Sequence, residues 1–247
     1  MSTTEIELSI VEPLGCGRAA WPVTMGVPFP QGVLADAQDL RLQRHGEARP
    51  LQTRAMMRWP DDSVRWVLLD FQADLAPGED HRLALSWEPG DERPQPQTPV
   101  CIRETVDGTL FIETGDNQWA IAPSGTMPFA RAYLGDREIV ADGGLQSCVR
   151  VDGENFELRV GSRPVVEEEG PMRVVVRVDG IALGDDGSPG FDVTARIYAY
   201  AGCSWLRIYL TLTNRIPQQL VHLEEFKLSL APEVDAGTAH EHAFLVS

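Results

Sequence analysis

The sequence predicts an all-β chain in two parts, and three observations carry that expectation. Apolar residues recur at every second position in one segment after another, while the 3.6-residue spacing of an amphipathic helix is nearly missing. Glycine (22) and proline (18) together supply 40 punctuating residues, more than a helix-rich protein carries. The stretch Pro89-Gly-Asp-Glu-Arg-Pro-Gln-Pro-Gln-Thr-Pro99 has no large apolar residue, and its prolines cannot donate to a strand ladder, so it reads as a linker. A chain of 247 residues has room for two domains of modest size and needs no disulfide or metal to fold.

Before the linker, Ile6, Leu8 and Ile10 alternate with polar residues and give a half-buried first strand. Trp21 to Val33 is too rich in proline and glycine for a helix or a central strand. Ala35 to Leu42 is the one early stretch that suits a short helical turn. Thr53 to Phe71 reads as a hairpin about Pro60-Asp61-Asp62-Ser63, with Thr53, Ala55, Met57 and Trp59 sharing the core face. Leu83 to Trp87 is a further short strand.

After the linker, Val100 to Val106 and Thr109 to Thr114 flank Asp107-Gly108, a hairpin signal. Gln118 to Ala122, Phe156 to Val160, Met172 to Val178, Phe191 to Tyr200, Trp205 to Asn214 and His222 to Leu230 follow as strands rich in Val, Ile, Tyr and Phe. Long strands with no helices between them imply an antiparallel sandwich rather than βαβ units. Ala243 to Val246 is strand-like and uncapped, as if the chain stopped inside a larger architecture. The expected division is a small barrel over 1–88, a linker over 89–98 and a sandwich over 99–247.

Charge narrows the partners. Acidic residues number 37 against 21 basic ones, a net −16, with pI ≈ 4.6. Such a surface repels a phosphate backbone, so no nucleic acid is expected. No run approaches the ~20 apolar residues of a membrane span, so no membrane is expected either. The opening Met1-Ser-Thr-Thr-Glu-Ile-Glu-Leu shows neither a basic nor an apolar leader region, which points to the cytoplasm. Cys16, Cys101, Cys148 and Cys203 are scattered, form no CxxC pair and read as small buried or half-buried thiols.

GxSxG, HExxH, P-loop and GxGxxG motifs are all missing. His240-Glu241-His242 is the one local arrangement that suits a metal, since residues two apart on a strand face the same side. Its third ligand would come from His222 or Glu224; the plainer reading is a polar strand end. Asp185, Asp186 and Ser188 read as a solvated hairpin tip, and Glu167-Glu168-Glu169 as a loop entering a strand. Trp59 and Trp66 flank the hairpin turn beside Arg58 and Arg65. Indole faces stack on sugar rings and a guanidinium fork grips a carboxylate, so the quartet suits an acidic sugar. The plainer reading puts both tryptophans in the barrel core with the arginines at its rim. Lys227 is the only lysine, which reflects composition more than recognition.

The motifs Gly26-Val-Pro-Phe-Pro-Gln-Gly32 and Arg58-Trp-Pro-Asp-Asp-Ser-Val-Arg-Trp66, in that order, resemble the opening domain of the exo-rhamnogalacturonan lyase-like proteins. These are the PcRGLX/YetA-like group associated with polysaccharide lyase family 26. Looser patterns at Val106 to Gly115, Glu169 to Arg173 and Tyr200 to Asn214 are similar to the family's central β-sandwich. The resemblance implies a RIFT-type β-barrel followed by that sandwich. It also implies a third domain, an α/α toroid, which no helical segment here represents. Elimination at a uronic acid needs the carboxylate neutralised and a base for the α-proton, and no motif here supplies that pair. The leading expectation is therefore a non-catalytic β-portion of a pectin-type lyase-like protein, a scaffold or one wall of a sugar cleft. Next comes a stand-alone carbohydrate- or partner-binding protein, and last a metal enzyme using His240 and His242. No cofactor is implied. The partners implied are an acidic polysaccharide or oligosaccharide, and a toroid domain or a second copy covering whatever face is left open.

Overall fold

The structure is a computed structural model that describes residues 5–87, 93–215 and 220–233. Among the described residues there is no α-helix, and the all-β expectation holds. The single helical element among the described residues is a 3-10 turn, Ala37–Asp39, inside the stretch expected to turn; Asp36 caps it by accepting the Gln38 N–H at 2.9 Å. No helix among the described residues is long and apolar enough to cross a membrane. The chain divides into two compact units. The first is Met1–Val100 with Gly170–Arg173 and Tyr200–Gly202, and the second is the remainder.

The first unit contains β1 (Glu5–Val11), β2 (Arg18–Pro28), β3 (Arg41–Arg44), β4 (Glu47–Arg49), β5 (Gln52–Arg58), β6 (Val64–Leu75) and β7 (Asp80–Ser86). They form a four-stranded sheet in the order β1-β7-β3-β4 and a three-stranded sheet in the order β2-β6-β5. Alternation explains both. On β6, Val67, Leu69, Phe71, Ala73 and Leu75 are buried, while Trp66, Leu68, Asp70, Gln72 and Asp74 belong to the other face. Leu8 stands opposite Leu83, and Leu42 opposite Leu85, in the same core. β2 carries Pro22 and Pro28 and is accordingly an edge strand.

The hairpin departs from its expected alternation. The register shifts between Ala55 and Met57 and again between Met57 and Arg58. An extra residue in one strand turns everything after it to the other side. Met57 is consequently 53% exposed, and Trp59 is half-buried at the rim rather than enclosed in the core. The turn itself is as expected: the Asp61 carboxylate accepts the Ser63 N–H at 3.1 Å and its hydroxyl at 2.6 Å.

Two polar anchors hold the first unit together away from its apolar core. On the outer face of β6, Asp70 pairs with Arg173 at 3.2 Å, both side chains nearly inaccessible to solvent. The Thr24 hydroxyl donates to Asp70 at 2.5 Å and accepts from Arg173 at 3.0 Å. The Gln52 amide accepts the N–H groups of Met172 and Arg173 and returns a bond to the Arg173 carbonyl. The second anchor is Arg93, within the stretch read as a linker. Its guanidinium donates to the carbonyls of Ala37, Leu40 and Leu51 and to the Thr53 hydroxyl. Burial pulls its pKa down to about 10, so it stays charged at neutral pH. That part of the stretch is stitched to the first unit and is no free spacer.

The second unit contains β8 (Val100–Glu104), β9 (Leu110–Thr114), β10 (Asn117–Ile121), β11 (Gly125–Thr126), β12 (Arg131–Leu134), β13 (Arg137–Val140), β14 (Leu145–Val151), β15 (Glu154–Val160), β16 (Val165–Glu168), β17 (Arg173–Gly184), β18 (Pro189–Tyr200), β19 (Arg207–Asn214) and β20 (Leu223–Leu230). One sheet runs β13-β12-β10-β9-β8 and the other β19-β18-β17-β15-β14-β20. Leu110, Ile112, Leu145, Val149, Leu158, Val176, Val193 and Ile197 are among the residues that alternation buries. The run Glu167-Glu168-Glu169 is corrected here. Val165–Glu168 is a strand, and Glu167 takes a bidentate bond from Arg196 at 2.8 and 3.2 Å and a third from Arg177. Those guanidinium bonds and charges outweigh its desolvation and hold its carboxyl below the usual range. The cysteines are corrected too: Cys16 and Cys101 are exposed, Cys148 half-buried and Cys203 buried. Ala243 to Val246 lies outside the described residues.

Removing one member of a buried ion pair strands the other's charge. Asp70→Ala is expected to cost about 3–5 kcal/mol in chemical denaturation. The double replacement Asp70→Leu with Arg173→Met should recover most of that loss. Arg93→Ala should cost about 2–3 kcal/mol through its stranded acceptors. Arg93→Lys should recover only part, because one ammonium cannot serve the spread of acceptors that a guanidinium fork reaches.

Candidate functional site

The structure does not bring the hairpin quartet together as one site. Trp59 donates its indole N–H to the Phe29 carbonyl at 3.0 Å, and the Arg65 guanidinium lies over its ring at 4.5 Å. Arg58 donates to the Asp62 carbonyl at 2.7 Å and approaches the Asp62 carboxylate at 3.7 Å, closing the turn. Trp66 belongs to the outer face with Leu68 and Asp70, and is 43% exposed. Its ring lies against Gly26, where an added Cβ would stand 2.5 Å from the indole nitrogen. Trp59 and Arg65 thus form a pair, Arg58 serves the turn, and Trp66 is a separate exposed ring.

His240 and His242 lie outside the described residues. The two suggested third ligands are in view. The backbone N–H of His222 bonds the Asp152 carboxylate, and Glu224 accepts the Gly153 N–H at 2.9 Å. Among the described residues, no group of three or more His, Cys, Asp and Glu side chains is placed to hold a metal ion.

A groove of about 520 Å³ in the first unit is lined by Arg49, Gln72, Asp74, Gln95 and Gln97, without an aromatic ring. Three of its polar groups have structural duties. Gln72 donates to the Ala201 carbonyl at 2.7 Å, Asp74 accepts the Ala20 N–H at 2.8 Å, and Arg49 pairs with Glu47.

A hollow of about 350 Å³ in the second unit has different chemistry. It opens on the face of the β8–β13 sheet that alternation turns away from the core: Leu110, Ile112 and Thr114 point in, so Phe111 points out. Ala120 is the cross-strand partner of Phe111 on one side and of Arg131 on the other. With Ala122 and Ala130 it leaves a floor without long side chains. Arg131 and Tyr133, two apart on β12, share this face. The rings of Phe111 and Tyr133 are 6.4 Å apart and inclined at 37°, and Arg103 stacks over Phe111 at 4.3 Å.

Charge in the hollow is committed. Arg131 faces Glu138 at 3.4 Å and Asp142 at 4.0 Å. A hydrogen bond with Tyr133, followed by those carboxylates, raises its pKa above the ordinary arginine value. Arg103 pairs with Glu113 at 3.3 Å. Asp107 sits in the β8–β9 turn, bonded by the Thr105 hydroxyl and by the N–H and hydroxyl of Thr109. Those donors hold its carboxyl below the usual aspartate range, with the Thr105 hydroxyl the largest contributor. The sequence assigns none of these side chains a binding role, although Asp107, Thr109 and Phe111 fall within the Val106 to Gly115 pattern. The available signal was weak: Thr105-x-Asp107-x-Thr109, and the alternating Arg131-x-Tyr133.

Comparison with known proteins bears on both units. Residues 14–85 match the family described as "PcRGLX-like N-terminal RIFT barrel domain". Residues 100–230 match "PcRGLX-like protein central beta sandwich domain". The chain is also similar to the "Uncharacterized protein YetA" of Bacillus subtilis (strain 168), 25% identical over 193 residues, which is 74% of this chain and 22% of that protein. The chain thus spans about a fifth of the length of the relative it matches. A RIFT barrel followed by a central β-sandwich, matched in the order that the two motif sets suggested, makes this chain a member of the PcRGLX-like family.

Proposed function

We propose that this chain is the non-catalytic β-portion of a rhamnogalacturonan lyase-like protein, and that the hollow on the β8–β13 sheet forms one wall of its carbohydrate cleft. The observation that carries the reading is the hollow itself. Two aromatic rings flank an alanine floor, with hydroxyls and carboxylates at the margin. Sugars are bound by such combinations, because the C–H face of a pyranose packs on a ring while its hydroxyls reach acceptors. The volume is at the small end of ligand sites, which run from about 300 to 1,000 Å³.

Arg131 beside Tyr133 raises a catalytic alternative, since elimination at a uronate needs a cation on the carboxylate and a base on the α-proton. Electrostatics weigh against it. A guanidinium already facing Glu138 and Asp142 has little positive potential left for a substrate carboxylate.

Affinity electrophoresis in gels containing rhamnogalacturonan tests the binding claim. Migration of the full chain should be retarded, and Phe111→Ala should abolish most of the retardation while leaving the thermal midpoint nearly unchanged. In parallel, the purified chain should generate no ultraviolet absorbance of unsaturated uronide from the same polymer. Turnover that disappears in Tyr133→Phe would replace the non-catalytic reading with the elimination alternative.

A further inference from the structure

We infer that the hollow takes an uncharged sugar residue by its apolar face, a 6-deoxyhexose such as rhamnose or an esterified uronate, and discriminates against a free uronate. This rests on the reading of the hollow as a carbohydrate wall and adds the class of residue it accepts.

Charge is the first argument. The titratable side chains lining the hollow include Asp107 and Asp142 against Arg131. Arg131 is spoken for by Glu138 and Asp142, and Tyr133 bonds it as well. Arg103 is turned to Glu113 and Phe111, and Arg163, whose guanidinium lies beside Gly108 next to Asp107, pairs with Glu104. Asp107 is fixed as an anion by its two threonines, so it cannot relieve repulsion by taking up a proton at neutral pH. Among the described residues, the guanidinium groups in and beside the hollow already face carboxylates, so a ligand carboxylate meets standing negative charge. Like charges placed that close are unfavourable even in a surface environment of high dielectric.

Shape and polarity supply the second argument. Phe111, Tyr133 and the alanine floor present carbon, which a C–H face or a methyl substituent can cover. Asp142 is 67% exposed, leaving carboxylate oxygens that accept from sugar hydroxyls. Hydroxyl donors satisfy such oxygens; a second carboxylate cannot.

The test is a titration of the isotopically labelled full chain, following backbone amides of Phe111, Ala120, Arg131 and Tyr133, with three probes: L-rhamnose, D-galacturonate and its methyl ester. The ester lacks the acid's charge and adds a methyl group, so the salt dependence of the gap between them reports the charge. At low salt the ester should bind about tenfold more tightly than the acid, with rhamnose near the ester. The gap should narrow as salt is raised. Asp142→Asn should narrow the gap between ester and acid several-fold, because it removes the repelling charge while its amide oxygen still accepts from sugar hydroxyls. Since Asp142 is exposed, that variant keeps the test independent of the folded turn at Asp107. Equal or tighter binding of the free acid would overturn the inference and leave the carbohydrate reading in place. No shift at these amides with any of the probes would overturn both.

Discussion

Strand alternation governs this chain. With no α-helix among the described residues, each sheet buries one set of alternate side chains and turns the other set outward. On β6 that rule sends Val67, Leu69 and Phe71 inward and leaves Asp70 to meet Arg173 on the outer face. On β9 it sends Leu110 and Ile112 inward and leaves Phe111 free to line the hollow. The apolar core and the polar or exposed side chains are therefore assigned to opposite faces of the same strands. A substitution on one face can be read with little reference to the other.

The outward faces share a second property: guanidinium groups there are largely taken. Arg173 is locked against Asp70 and Thr24, Arg93 is spread over four acceptors, and Arg177 and Arg196 converge on Glu167. Arg131 and Arg103 face carboxylates at and beside the hollow. With 37 acidic residues against 21 basic ones, acceptors are in excess. An arginine count alone thus overstates the capacity to bind acidic sugars. This is the physical reason for proposing uncharged-sugar chemistry at the hollow in place of the acidic-sugar chemistry that Arg58, Trp59, Arg65 and Trp66 suggest on paper.

Much of the fold was legible in the sequence. Long strands with clean alternation, such as Phe191 to Tyr200, and hairpins marked by Asp-Gly or Pro-Asp-Asp-Ser turns were readable because local chemistry and burial agree there. Short strands were not. Arg131–Leu134 and Arg137–Val140 have too few residues to show a period, and Val165–Glu168 hides behind its glutamates. The bulge after Ala55 was also invisible, since an extra residue changes facing without changing composition. The hollow escaped for a related reason. Phe111, Ala120, Arg131 and Tyr133 lie on β9, β10 and β12 and meet only through cross-strand register, the rest of the lining comes from turns, and its most telling feature is three alanines, which no motif announces.

The most direct test of the account is a crystal structure of this chain grown with a rhamnogalacturonan oligosaccharide. The account predicts a neutral sugar ring packed over Phe111 and Tyr133 on the alanine floor, with its hydroxyls toward Asp142 and neighbouring uronates directed away from the hollow. A uronate carboxylate seated on Arg131, or an oligosaccharide bound on the Trp66 face with the hollow empty, would contradict it.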